Sequence, residues 1–411
     1  MTRPTRPDRL GRYEVISKIA GGGLSTIYLG RDTQDETARV ALKVVRHDLR
    51  LQDDIREMFL DEAKLLLRLV HPNVVRTLGV GAEGPHSFIA MELLLGTTLG
   101  IVQHACAQQS VGLHPVLTAW IGARTADALH YAHELADEQG KPLHLVHRDV
   151  SPENVFATFD GRVKLIDFGL AKYVGRARAT SPGIVKGKLS YLSPEQIMQL
   201  QVDRRSDVFG LGTTIWEMLT MRRLFRRESD EATVRAVQRG PIPDPREIAP
   251  DVSEKLVAIV MRALERNREN RYATAADLRD ALDGFVNESV SIDPAKALVE
   301  TLGQLFPDEK KRQMGWLKPS PSRSMPPPAP RSIPPTSRSV PPTSSQSVPP
   351  TSQSVPPTSQ SVPPTSSRSV PPPSRSVPPP SRSLPKSLPL PSASRSPSPP
   401  SVKTKSVPPK R

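Results

Sequence analysis

From Tyr13 to about Ile89, apolar and polar positions alternate over short stretches. Tyr13-Glu14-Val15-Ile16, Thr26-Ile27-Tyr28-Leu29 and Val40-Ala41-Leu42-Lys43-Val44-Val45 are β-branched or aromatic runs separated by Gly or Asp turns, which predicts strands. One helix interrupts them. Between Asp54 and Val70, the residues Phe59, Ala63, Leu66, Leu67 and Val70 recur at three- and four-residue spacings and stop before His71-Pro72. After Gly96 the period becomes helical, with segments predicted around 116–135, 194–200, 207–221, 253–265 and 274–285, and one further helix over 294–306. The body is thus an α+β arrangement, a smaller β-rich part followed by a larger α-rich one.

The pattern ends at Pro319. Residues 319–411 hold 30 of the 45 prolines, 12 basic residues and no acidic residue, and repeat Ser-Arg/Gln-Ser-Val-Pro-Pro with Val340, Val348, Val355, Val362, Val370 and Val377 in register. Such a composition buries too little apolar surface to offset its ordering entropy, so a disordered tail of polyproline II character is expected. Removing it leaves 44 basic against 42 acidic residues, a net charge of +2 out of the whole chain's +14. The excess positive charge belongs to the tail.

A lone Cys106 excludes an internal disulfide, a thiolate zinc cage and a thiol redox pair, which points to a reducing, cytoplasmic setting. The first 20 residues carry no secretory hydrophobic core, and no apolar stretch is long enough for a transmembrane segment.

The candidate chemistry begins at Ile19-Ala20-Gly21-Gly22-Gly23-Leu24-Ser25-Thr26-Ile27, where glycines between two strand-like runs would let backbone approach a phosphate. A strand rather than a helix follows, which disfavours a dinucleotide-binding fingerprint and leaves a Gly-rich hairpin turn as the plain alternative. Lys43 ends a strand, and Glu62 lies on the helix that follows, a pair that can hold nucleotide phosphates or else lie separately in solvent. His147-Arg148-Asp149-Val150-Ser151-Pro152-Glu153-Asn154, then Asp167-Phe168-Gly169, then Ser193-Pro194-Glu195 complete an ordered set.

With these motifs in this order, the sequence resembles the eukaryotic-type protein kinase family over about Gly11 to Phe285, bacterial members in particular and among them myxobacterial ones. The resemblance implies a two-lobed fold: an N-terminal extension over 1–11, a small lobe with hinge over 12–94, a helical lobe over 95–285, a helical extension over 286–318 and the tail over 319–411. It implies transfer of the ATP γ-phosphate to Ser or Thr hydroxyls of proteins, the chain itself included, with Mg²⁺ as the metal and Mn²⁺ as its alternative.

By the same resemblance, Asp149 would orient and deprotonate the acceptor hydroxyl, and Asn154 and Asp167 would hold the metal. Lys43 would contact the α- and β-phosphates with Glu62 as its partner. Ile19, Ile27, Ala41, Met91 and Phe156 would wall the adenine pocket, with backbone groups of Glu92 and Leu94 as the hinge. Asp207 would brace the catalytic loop, and Glu195 would pair with Arg271. Arg148 would receive a phosphate on the activation segment, where Thr180 and Ser181 are the candidate acceptors.

Three features depart from the family pattern. Ala20 and Ser25 stand for two of the usual glycines. Ser151 stands where Ser/Thr kinases carry a phosphate-touching Lys, and Lys188 where a Thr is usual. The last two changes are expected to be linked, with Lys188 supplying the missing positive charge.

Other readings were weighed. His130, His133, His144 and His147 are spaced like zinc ligands, but no Cys or nearby carboxylate completes a set. A nucleotide-binding pseudokinase scaffold is the alternative function, although Lys43, Asp149, Asn154 and Asp167 are all present. In the tail, arginines recur roughly every 22–25 Å in an extended chain, beyond the Debye length of ~8 Å. Weak adhesion to acidic surfaces, or docking of modules that bind Pro-rich segments, fits it better than nucleic-acid reading. The oligomeric state is not legible.

Overall fold

The computed structural model describes residues 7–21, 25–45, 63–168, 188–289 and 292–318. The small lobe is an antiparallel sheet of β1 (Arg9–Leu10), β2 (Tyr13–Gly21), β3 (Ser25–Asp32), β4 (Arg39–Val45), β5 (Thr77–Glu83) and β6 (His86–Glu92), in the order β1-β2-β3-β4-β6-β5. Strand side chains alternate between faces, and one face of this sheet forms a core of its own. Val40, Leu42 and Val44 point there with Leu10, Tyr13, Val15, Phe88 and Ala90. The intervening Ala41 and Lys43 therefore face the other way, opposite Met91 and Ile89 respectively.

Of the helix expected between Asp54 and Val70, residues 54–62 lie outside the described residues. The described part is helical over 63–66 and then tightens into turns in which Leu67, Arg68 and Leu69 each bond the carbonyl three residues back. The helix so ends four residues earlier than its apolar spacing suggested. Leu67 and Val70 are consequently exposed, while Ala63 and Leu69 are buried.

The larger lobe opens with a second sheet of β7 (Gly96–Thr98), β8 (Val155–Thr158) and β9 (Val163–Leu165) and with helices α1 (Leu99–Gln109) and α2 (Pro115–His133). There follow α3 (Pro194–Ile197), α4 (Arg205–Thr220), α5 (Asp230–Arg239), α6 (Glu254–Ala263) and α7 (Ala275–Glu288), then α8 (Pro294–Leu305) and α9 (Pro307–Met314). Helix α2 runs through the centre. Its small side chains Ala119, Ala123, Ala126 and Ala128 are fully buried, which lets α4 and α7 approach closely. Helix α4 is buried on nearly every side, and α7 starts on a capping box between Thr274 and Asp277. Sequence patterning passed over α1, α5 and α9.

No helix among the described residues is long and apolar enough to cross a membrane.

Candidate active site

The site lies between the lobes, where the open face of the first sheet meets the loops at the ends of β8 and β9. Ile27 pairs with Lys43 in register and Leu29 with Ala41, so these side chains share the face turned to the cleft. Met91 and Ile89 continue it from β6. The cleft between the lobes is lined by Lys43, Thr77, Ile89, Met91, Asp167 and Phe168. Phe156 is half-buried on β8 opposite Thr98, and Glu92 and Leu94 lie on the segment joining the lobes. Ile19, Ala20, Gly21, Ser25 and Thr26 lie at the facing ends of β2 and β3. Gly22, Gly23, Leu24 and Glu62 lie outside the described residues.

Lys43 Nζ donates to Asp167 Oδ1 at 2.6 Å, so a small-lobe strand and the segment after β9 meet through one ion pair. Burial pushes the Asp167 carboxyl up, but the charge and hydrogen bond of Lys43, with Lys188 and His147 behind, outweigh it and hold the group below the usual aspartate range. Asp167 itself has φ of 57°. A non-glycine residue in this left-handed region is strained and persists only where its surroundings fix it.

Arg148 is the second strained position, with φ of 63°. It is held by Asp207 at the start of α4, whose Oδ1 accepts from the Arg148 amide at 2.7 Å and whose Oδ2 accepts from the His147 amide at 2.8 Å. His133 Nε2 is also 2.8 Å from Oδ2. Burial raises the Asp207 carboxyl, yet His133, His147 and the Arg148 amide together hold it below its ordinary value. His147 Nδ1 accepts from the Asp149 amide at 3.3 Å, so Nε2 carries the proton it donates to the Ile166 carbonyl at 3.1 Å. Burial pushes its pKa down, and the ring packs against Phe168, centroids 4.7 Å apart.

Asn154 Nδ2 donates to the Asp149 carbonyl at 2.7 Å and to Asp149 Oδ2 at 2.9 Å, which fixes the Asp149 side chain and leaves the Asn154 amide oxygen for another partner. That oxygen and the carboxylate of Asp167 are hard donors of the kind Mg²⁺ takes alongside substrate phosphates, so the residues fit a divalent metal of this type.

Lys188 Nζ also ion-pairs with Asp149 Oδ2. Ser151 sits apart from this meeting, 1% exposed, its hydroxyl without a hydrogen-bond partner among the described residues. It is thus a buried small residue and not a shortened substitute for a lysine. Glu195 and Arg271 form a buried bidentate pair at 2.7 and 2.9 Å, with Ser206 Oγ donating to the same carboxylate at 2.6 Å. Thr180 and Ser181 lie outside the described residues.

Sequence reasoning missed several supports. Glu92 accepts from Lys164 Nζ at 2.7 Å and from the Arg76 amide at 2.8 Å, tying the segment between the lobes to β9. A lysine between Val163 and Leu165 in a buried strand was the available signal. Tyr191 donates to the buried Glu217 at 2.7 Å, and Arg223 joins them.

These features define a phosphotransferase of the protein kinase type. The protein kinase domain model matches residues 13–281, and the chain belongs to that family. It is 40% identical over 305 residues to the tyrosine-protein kinase MasK of Myxococcus xanthus, covering 73% of this chain and 47% of the relative. To the serine/threonine-protein kinase PknB of Mycolicibacterium smegmatis it is 34% identical, covering 72% and 46%, and to Pkn1 of Myxococcus xanthus 31%, covering 70% and 40%. The chain thus spans about half the length of the curated relatives it matches. The solved kinase domain of PknI from Mycobacterium tuberculosis superposes with a TM-score of 0.52 at 25% identity, over 67% of this chain and 97% of that one. The two-lobed kinase fold is therefore the fold of this chain, and use of ATP and a divalent metal goes with that fold generally.

Proposed function

We propose that the protein transfers the γ-phosphate of ATP to Ser or Thr hydroxyls of proteins, its own chain among them, with Mg²⁺ as the metal and Mn²⁺ able to replace it. The observation that carries this reading is that two bonded pairs, Lys43 with Asp167 and Asn154 with Asp149, sit on adjoining segments joined by the bond from the Ile166 amide to the Asn154 carbonyl.

Asp149 aligns the acceptor hydroxyl and takes its proton as the acceptor oxygen bonds to the γ-phosphorus and the bond to the ADP oxygen breaks. Asn154 keeps the Asp149 carboxylate aimed. Lys43 holds the α- and β-phosphates, and Asn154 and Asp167 would hold the metal. The bound metal supplies charge neutralisation on the phosphates. Ile19, Ile27, Ala41, Met91 and Phe156 enclose the adenine, backbone at Glu92 and Leu94 pairs with its edge, and Ala20, Gly21, Ser25 and Thr26, at the facing ends of β2 and β3, lie towards the phosphates. Because phosphoryl transfer is positioning and charge stabilisation, residues this well fixed are what the reaction needs.

Lys188 takes the place of the cation that position 151 lacks. It reaches Asp149 from the activation segment. Arg148 provides for a phosphate at Thr180 or Ser181.

A second reading, transfer to Tyr, has two supports: Ser151 is not a lysine, and MasK carries the name of a tyrosine kinase. Pro152-Glu153 favours Ser/Thr. The pseudokinase scaffold is the third outcome, and phosphoamino-acid analysis of the incubated protein separates all three: phospho-Ser or phospho-Thr, phospho-Tyr, or none. We place the protein in the cytoplasm, with its Pro-rich tail docking partner modules or adhering weakly to acidic surfaces.

A further inference from the structure

The family match stops at residue 281, but the folded chain continues to Lys318. Leu298 and Leu302 on α8 are 2% and 0% exposed and belong to the core of the large lobe. Helix α8 packs on α2 and α1, and its backbone passes so close to Gly161 that a Cβ there would lie 2.9 Å from the Ala295 carbonyl. Residues 294–318 are built into the lobe.

What this segment does is set by Gln313, 6% exposed on α9. Its Oε1 accepts from the Gly96 amide at 2.7 Å, and its Nε2 donates to the Gly96 carbonyl at 3.0 Å. Nε2 also donates to Glu309 Oε1 at 2.6 Å, and Arg312 Nε donates to Glu309 at 2.8 Å, so the amide is held in this orientation. Gly96 pairs with Thr158 of β8 on one side only. A Cβ at Gly96 would lie 2.1 Å from the Ala157 carbonyl, which shows how tightly β7 is pressed there. Its own N–H and C=O point to the opposite edge, where Gln313, carrying one donor and one acceptor like a peptide group, stands in for a missing strand.

We infer that residues 294–318 are a strap that fixes the segment between the lobes, with Gln313 a positioning residue for nucleotide binding. Gly96 is two residues beyond Leu94, whose backbone the proposed function assigns to the adenine edge, so this inference rests on that reading. Lys164 pins the segment at Glu92 and Gln313 pins it at Gly96. At its far end the strap touches the small lobe, with Arg39 donating to the Lys318 carbonyl at 3.3 Å. A backbone held in its binding geometry loses less entropy when the nucleotide arrives. Releasing it also strands a buried donor and a buried acceptor, which the segment would move to satisfy.

The test is Gln313→Met, which keeps the volume and removes both bonds. ATP titrations at saturating acceptor are expected to give a KM for ATP raised about tenfold with kcat within about twofold, and hydrogen exchange without nucleotide is expected to be faster at Gly96 and its neighbours. A merely structural role would lower the melting temperature and leave the KM for ATP where it was, and that result overturns the inference while the kinase reading stands. If the variant does not fold, exchange in the unaltered protein decides: a slow Gly96 amide supports the clasp and a fast one contradicts it. Failure of the unaltered protein to bind ATP would remove the kinase reading and this inference with it.

Discussion

The ammonium of Lys188 donates to the carboxylate of Asp149, across a gap that the residue two positions after Asp149 cannot fill, since Ser151 is buried. Of two departures from the family pattern that stand 37 positions apart in sequence, Lys188 reaches that carboxylate and Ser151 does not. The link between them is a proposal, supported by the place of Lys188 beside Asp149.

Lys188→Ala is therefore expected to lower kcat about tenfold or more with little change in the KM for ATP, because the charge acts where negative charge gathers during transfer. Lys188→Arg should retain part of the rate. Steady-state kinetics on the two variants decide the matter. An unchanged rate in Lys188→Ala would leave the lysine as an ordinary surface charge.

Arg271→Ala is expected to cost about 3–5 kcal/mol of stability, because it leaves the carboxylate of Glu195 buried without its bidentate partner. Burial alone would raise Glu195, but the hydrogen bond and charge of Arg271, with Ser206, bring it below its ordinary value. A carboxyl lowered on folding adds stability that is complete above its unfolded pKa of about 4.3 and is lost as pH falls through the lower folded value. The stability difference between the unaltered protein and Glu195→Gln should hence shrink on acidification below that point. Denaturant melts at several pH values measure it, and a difference that grows towards acid would refute the assignment.

The Asp207 carboxylate, which holds the strained Arg148 peptide, follows the same sign. Asp207→Asn keeps the shape but has one acceptor oxygen where the carboxylate has two, and kcat is expected to fall about 100-fold or more, as the backbone carrying Asp149 relaxes. The accompanying readout is the pH dependence of stability, which Asp207→Asn should flatten between about pH 4 and more acid values. Full activity in this variant would mean that the loop holds its geometry by other means.

Much of this was legible in the sequence where chemistry is local. Lys43, Asp149, Asn154 and Asp167 stand in short motifs whose spacing is fixed by the loops that carry them, and the structure brings all four together. The β-branched run from Val40 to Val45 placed a strand of the small lobe. What escaped had no local signature. Leu67 and Val70 continue an apolar spacing but fall past the point where the helix tightens. Helix α9 is so polar that its one buried contact, Gln313, carries no periodicity. Glu92 with Lys164 and Gln313 with Gly96 join residues 72 and 217 positions apart, and such pairs are set by packing alone.

Leu302→Ala tests whether the strap is part of the folded unit. A fully buried leucine truncated in a close-packed core costs about 2–5 kcal/mol. A loss of that size, seen as one cooperative transition in thermal melts, would join residues 294–318 to the kinase lobe. A variant as stable as the unaltered protein would make the strap a detachable appendage.

The central claim is that this connected set of residues transfers phosphate, and mass spectrometry tests it most directly. The protein and its Asp149→Asn variant are incubated with Mg-ATP and a generic basic acceptor protein, and phosphate is mapped on both. Phosphate on Ser or Thr in the first sample and its absence in the second is the predicted result. Phosphate on Tyr would contradict the acceptor assignment, and equal incorporation by both proteins, or by neither, would contradict the assignment of Asp149 and the catalytic reading as a whole.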